Sequence, residues 1–133
     1  MLELLAAMMA HTVSGPPSPS IVSVVPASTN AGTCGATGIH IPTHAASYAV
    51  TVTVANVDFT LYKVNLYENN VLKATFTSSP LVYNVTVTGN VEDGPVSPFT
   101  INRTYRADLV ALSGGSVVDS KSGNWTQDYG QCP

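Results

Sequence analysis

Between Thr104 and Asp119 the chain alternates between two faces and then breaks. Tyr105, Ala107, Leu109 and Ala111 fall on one face, and Arg106, Asp108 and Val110 on the other. The run breaks at Gly114-Gly115 and resumes at Val117-Val118. A period of two with a glycine pair between the runs predicts an antiparallel hairpin with one buried face.

The same rule finds strands elsewhere. Over Tyr48–Asn56, Tyr48, Val50, Val52 and Val54 point one way and threonines the other. Over Leu61–Glu68, Tyr62, Val64 and Leu66 share a face. Asn69-Asn70 then suits a tight two-residue turn, because asparagine tolerates positive φ. The chain resumes over Val71–Thr77, breaks at Pro80, and alternates again with Leu81, Tyr83, Val85 and Val87 facing in. Ile21–Val25 reads as a first strand ended by Pro26, and Ala27–Ala46 as a long irregular connection, expected to be functional or held by a disulfide. Gly89–Pro98 is expected to be a polar loop, and Phe99–Ile101 to lead into the hairpin. The expected class is all-β.

The 133 residues provide for one domain. Only 10% are charged, and the formal net charge is −3. Lys63, Lys73, Arg103, Arg106 and Lys121 form no run, so there is no basic patch of the kind that nucleic-acid binding requires. The two cysteines, Cys34 and Cys132, lie in glycine-rich or polar stretches rather than apolar strands. A disulfide joining the tail to an early loop is expected, worth about 4–5 kcal/mol in the chain-entropy account and implying an oxidising location or exposure after release from a cell. Two free surface thiols are the alternative.

Residues 1–13 form an apolar arm and 14–20 a proline-rich linker, leaving 21–133 for the β domain. The run from Met1 to Ala10 favours helix. It carries Glu3 where a signal peptide would carry a basic residue, and it is too short to span a bilayer. Two readings stay open, a clipped export signal and a short docking helix. In the second, Leu2, Leu5 and Met9 would line one face and bury against a partner.

Candidate chemistry is sparse. His40 and His44 are four apart near Cys34, but the intervening Pro42 opposes a helix that would aim them together, so two loop histidines are expected rather than a metal site. Glu92-Asp-Gly94 with Asp119 or Asp128 matches no calcium-loop spacing. No strained serine turn marks a nucleophile, and Glu68 and Glu92 give no basis for a carboxylate pair. Asn84-Val-Thr86, Asn102-Arg-Thr104 and Asn124-Trp-Thr126 are glycosylation triplets, but in a chain rich in Ser and Thr such triplets arise by chance. The expectation is a non-enzymatic protein with no cofactor.

The regular strand spacing, the Tyr83-x-Val-x-Val strand and the Thr104-Tyr105-x-Ala-x-Leu-x-Ala111 strand resemble fibronectin type III and related immunoglobulin-like domains over roughly Ile21 to Trp125. That resemblance implies an antiparallel sandwich, with Tyr105 as the tyrosine that pins the corner. Two features depart from it: the early strand lacks the core tryptophan, Trp125 standing near the tail instead, and the loop before Phe99 is longer than the usual corner.

An amino-terminal arm, a proline linker and one small threonine-rich sandwich are together similar to bacteriophage virion proteins, notably head decoration and tail-associated proteins. This implies location in a virion and docking of the arm on capsid or tail proteins, with homo-oligomers through an edge strand also open. The alternative is a secreted or cell-surface adhesin or carbohydrate-binding module, in which Tyr67, Trp125 and Tyr129 would make a weak glycan contact by stacking on sugar rings.

Overall fold

The computed structural model describes residues 17–33, 43–90 and 99–129, with side chains over 17–29, 47–86 and 102–126. The arm residues Leu2, Leu5 and Met9, both cysteines, His40 and the Glu92-Asp93 loop lie outside the described residues. His44 and Tyr129 are described in backbone only.

Seven strands follow in chain order: β1 (Ser20–Thr33), β2 (Thr43–Ala55), β3 (Tyr62–Glu68), β4 (Val71–Phe76), β5 (Val82–Asn90), β6 (Phe99–Ala111) and β7 (Val117–Tyr129). They make two antiparallel sheets, ordered β1-β2-β5 and β4-β3-β6-β7. That arrangement is an immunoglobulin-like, fibronectin type III-like β-sandwich. No helix is present among the described residues.

The core lies where the alternation places it. Tyr48, Val50 and Val52 of β2 face Val64 and Leu66 of β3 and Tyr105, Ala107 and Leu109 of β6, all essentially without solvent contact. Fully burying a side chain of this size is worth roughly 1.5–3 kcal/mol, so this one layer of residues accounts for the register of both sheets. A slip of one residue would turn the whole set outward. The two turns read from the sequence are also formed. Asn69 and Asn70 both have positive φ, 49° and 67°, and the glycine pair sits at 86° and 74°. Left-handed φ at successive positions is the signature of turns that match the strand twist.

Three expectations need correction. Pro26 does not end the first strand: β1 continues to Thr33, with Pro26 opposite Val50. β1 is the outer strand of its sheet, so the missing N–H costs no ladder bond if it faces the unpaired side. Residues 27–33 and 43–46, expected to be irregular, are paired strand. Their sequence, ASTNAGT and THAA, shows no apolar alternation, and backbone pairing places them in β1 and β2. Gly89 and Asn90, expected to open a loop, are the last residues of β5 and pair with β2.

Along one side the two sheets are joined by their outer strands. A bulge between Ile21 and Ser23 inserts a residue in β1, and Ile21 and Val24, three apart, both become buried. The Ile21 backbone N–H donates to Asp119 Oδ2 of β7 at 2.8 Å. Four residues further on, a Cβ at Gly123 would overlap the Val24 carbonyl oxygen, so β1 can cross β7 only over a glycine.

Candidate functional site

Residues 102–105 of β6 and 123–126 of β7 pair with each other, Asn102 opposite Thr126, Arg103 opposite Trp125 and Thr104 opposite Asn124. Alternation divides this short ladder between two surfaces. Arg103, Tyr105 and Trp125 go inward, while Asn102, Thr104, Asn124 and Thr126 go outward and are exposed.

Inward, four polar groups close a ring between the sheets. Arg103 Nη1 donates to the Tyr48 hydroxyl at 3.0 Å and lies 3.4 Å from Glu68 Oε2. The Tyr105 hydroxyl donates to Glu68 Oε2 at 2.6 Å and is hydrogen-bonded to the Tyr48 hydroxyl. Each phenol has one proton. The Tyr105 proton is committed to the carboxylate, so Tyr48 must donate to Tyr105 and accept from Arg103. The ring then runs in one direction, from guanidinium through two phenols to carboxylate, and every member is satisfied.

The electrostatics follow from this order. Burial and then the bonds to Glu68 and Tyr48 push the Tyr105 phenol well above the ordinary tyrosine range. Burial opposes the Arg103 cation, but the bond to Tyr48 and the nearby Glu68 carboxylate outweigh it and hold the guanidinium above its usual value. Burial, and next the charge on Glu68, raises Tyr83. Lys73 Nζ adds a long 4.0 Å contact to the other oxygen of Glu68. With Tyr105 wholly buried, the chemistry of the ring is that of a clamp between sheets.

Trp125 covers this ring. Its indole stacks on Tyr48, with ring centroids 4.9 Å apart and planes 21° apart, and its Nε1 is buried with no hydrogen-bond partner among the described residues. The tryptophan absent from the early strand is thus replaced, across the sandwich, by one from β7. One face of the indole is taken by Tyr48.

Tyr67 lies on the other side of the same sheet, where the Arg106 guanidinium sits 4.4 Å over its ring. Arg106 is held there by Asp108 Oδ1 at 3.0 Å and Asn70 Oδ1 at 2.9 Å. Asp108 is itself buried on this outer face and also accepts from Ser120 Oγ at 2.6 Å. Tyr67 and Trp125 therefore do not converge on one ligand surface. Tyr129 ends β7, and its side chain lies outside the description. The Tyr105 hydroxyl donates to a carboxylate 37 residues earlier in the chain, whereas a corner tyrosine reaches backbone a few residues upstream.

Outward, the ladder and the β3–β4 turn enclose a groove of about 380 Å³ lined by Asn69, Asn102, Arg103, Thr104, Asn124, Trp125 and Thr126. Asn69 is locked into it from both ends, its backbone N–H donating to the Thr104 carbonyl at 2.8 Å and its Oδ1 accepting the Thr104 N–H at 2.9 Å. Thr126 Oγ1 donates to Asn102 Oδ1 at 2.7 Å.

Two of these features were readable but missed. Carrying the alternation of Tyr105 back by one step puts Arg103 on the inward face, and carrying Val64 and Leu66 forward does the same for Glu68. Opposite charges at the first inward positions beyond an apolar run are the signal of a bridge. The two triplets at 102–104 and 124–126 likewise place Asn and Thr on one face of any strand that holds them.

Among the described residues no group of three His, Cys, Asp or Glu could hold a metal ion. The chain matches no protein-family model, no curated protein and no solved structure.

Proposed function

We propose that this chain is a non-enzymatic structural and binding protein that serves as a subunit of a large assembly, a virus particle in the first instance. The apolar segment at residues 1–13 would dock on capsid or tail proteins, and the sandwich would stand clear on the proline-rich linker.

The observation that supports this reading best is where the ionisable groups go. Glu68 and Arg103 close the ring between sheets, Arg106 and Asp108 bind each other, and Asp119 holds the first strand to the last. Asp58 accepts both the N–H and the hydroxyl of Thr60 in an exposed turn, and those two bonds lower its pKa. These groups, among the described residues, are taken up by the fold, and the groove presents mainly amides and hydroxyls. Such a surface suits recognition, not turnover.

Density-gradient fractionation of the native source, with mass spectrometry on each fraction, tests the proposal. Sedimentation with large particles at fixed stoichiometry is expected, and a chain lacking residues 1–13 should stay folded but fall out of those fractions. Recovery only as a small soluble species would overturn it. The second reading is a secreted or cell-surface adhesin or carbohydrate-binding module, favoured by the amides and hydroxyls that predominate in the lining of the groove.

A further inference from the structure

From the groove at the β6–β7 ladder we infer a binding site for a neutral glycan. The inference rests on the reading of this chain as a binding protein and names the surface and ligand class it would use. Asn102 faces Thr126, Thr104 faces Asn124, and Asn69 flanks them from the β3–β4 turn. This is a compact array of three amides and two hydroxyls on one exposed face.

The internal hydrogen bonds decide what the array offers. Asn69 Oδ1 takes the Thr104 N–H, and Asn102 Oδ1 takes the Thr126 hydroxyl. Both amide oxygens are thereby anchored to the sheet, and among the described residues both NH₂ groups remain without a protein acceptor. The Asn124 amide and the Thr104 hydroxyl add a donor and acceptor each. Fixed amide donors beside hydroxyls match the vicinal hydroxyls of a sugar or the carbonyl of an acetamido group.

Charge and size narrow the ligand further. Although Arg103 contributes to the lining, its guanidinium is turned to Tyr48 and Glu68 on the other side of the ladder. An anion or cation in the groove would lose water without meeting a counter-charge, which is unfavourable. A volume of about 380 Å³ stands near the low end of small-molecule sites, which run from roughly 300 to 1,000 Å³, enough for a short oligosaccharide end. Paired strands and the locked turn pre-order the side chains, so little rotamer entropy is lost on binding. The ring of Tyr67, in the adjacent row of the sheet, is already covered by Arg106. Binding therefore draws mainly on hydrogen bonds, with Trp125 the aromatic residue in the lining, and a weak affinity follows.

The test uses the full chain made in a bacterial host, so that the asparagines of the two triplets are unmodified. Amide chemical shifts would be followed while chitotriose, maltotetraose and cellotetraose are each added to the solubility limit. At least one should give saturable shifts centred on Asn69, Asn102, Thr104, Asn124 and Thr126. Asn124→Ala and Thr104→Ala should each weaken that binding by about tenfold or more, the effect of losing one good hydrogen bond at its upper range. Both residues are exposed, so an unchanged melting temperature separates loss of the site from loss of the fold. Absence of shifts with all three sugars, shifts centred elsewhere, or displacement by an anionic heparin tetrasaccharide would overturn the inference. If the chain nonetheless sediments with particles, only the glycan site has failed and the assembly reading stands.

Discussion

Tyr48 of β2 and Tyr105 of β6, 57 residues apart and on opposite sheets, meet hydroxyl to hydroxyl, with their rings edge to face at 6.2 Å and 66°. Because the Tyr105 hydroxyl already donates its hydrogen bond to Glu68, the pair is ordered, with Tyr48 as donor. The central polar contact of this sandwich thus depends on a carboxylate at the end of a third strand.

Tyr105→Phe leaves the Tyr48 hydroxyl without its acceptor and Glu68 without its shortest donor, both in a buried setting. The expected loss is about 1–3 kcal/mol, the cost of stranding buried polar groups, read from urea unfolding. Tyr48→Phe should cost less, since Arg103 keeps Glu68 as a partner. The double variant should fall short of the sum, giving a coupling energy of at least about 0.5 kcal/mol. Strict additivity would mean that the two hydroxyls act independently.

The ring should also set the alkaline limit of the fold. In the unfolded chain a tyrosine ionises near pH ~10. In the folded protein the Tyr105 phenol stays protonated to higher pH, because burial and the Glu68 carboxylate oppose its charge. The unfolded state then holds fewer protons than the native state, so stability falls as pH rises. It should be flat with respect to this group below about pH 10 and decline above it by up to about 1.4 kcal/mol per pH unit. Phenolate absorbance should show Tyr105 titrating only together with unfolding.

Gly123→Ala should be costlier than an ordinary glycine substitution in a strand. The new Cβ would meet the Val24 carbonyl, which is backbone and cannot rotate away. β1 would have to move off β7, with a loss of about 1–3 kcal/mol typical of overpacking. The midpoint of urea unfolding should drop, and hydrogen exchange at Ile21, whose N–H is held by Asp119, should accelerate before that of Val64 or Leu109.

At the β3–β4 turn Asn70 stands at φ 67° and accepts an exposed bond from Arg106. Asn70→Ala puts an alanine in left-handed backbone and should cost about 1–2 kcal/mol. Asn70→Gly removes the same bond without that penalty and should stay within about 0.5 kcal/mol of the parent, since exposed bonds of this kind contribute little. Equal losses in thermal melts would shift the weight from backbone conformation to the Arg106 contact.

The two-sheet core was legible because Tyr48, Val50, Val52, Val64, Leu66, Tyr105, Ala107 and Leu109 repeat with period two, and only a half-buried strand requires that. The asparagine and glycine turns were legible because few other residues accept positive φ. The outer half of β1 was not, since Ala27 to Thr33 is held by backbone bonds that leave no mark in side-chain type, and Pro26 suggested a break that an outer strand avoids. Glu68 and Arg103 were hidden by their charge: polar residues are assigned to solvent unless their partner is known, and the partner lay in another strand. Trp125 looked like a surface aromatic because it is near the tail, and only the fold brings Tyr48 beneath it.

The crossing of β1 and β7 has a mechanical consequence. Ile21 lies beside Asp119 and Val24 beside Gly123, so the first and last strands run in the same direction, and the chain enters the domain at one pole and leaves it at the other. Tension between the two ends would load this seam in shear along its length, opposed together by the Asp119 bond, the interlocked backbone at Gly123 and the buried Ile21 and Val24. The polar groove lies along β7 toward the exit pole, away from where the chain enters. A domain tethered by its leading end would therefore carry that groove on its distal half, facing what approaches from outside.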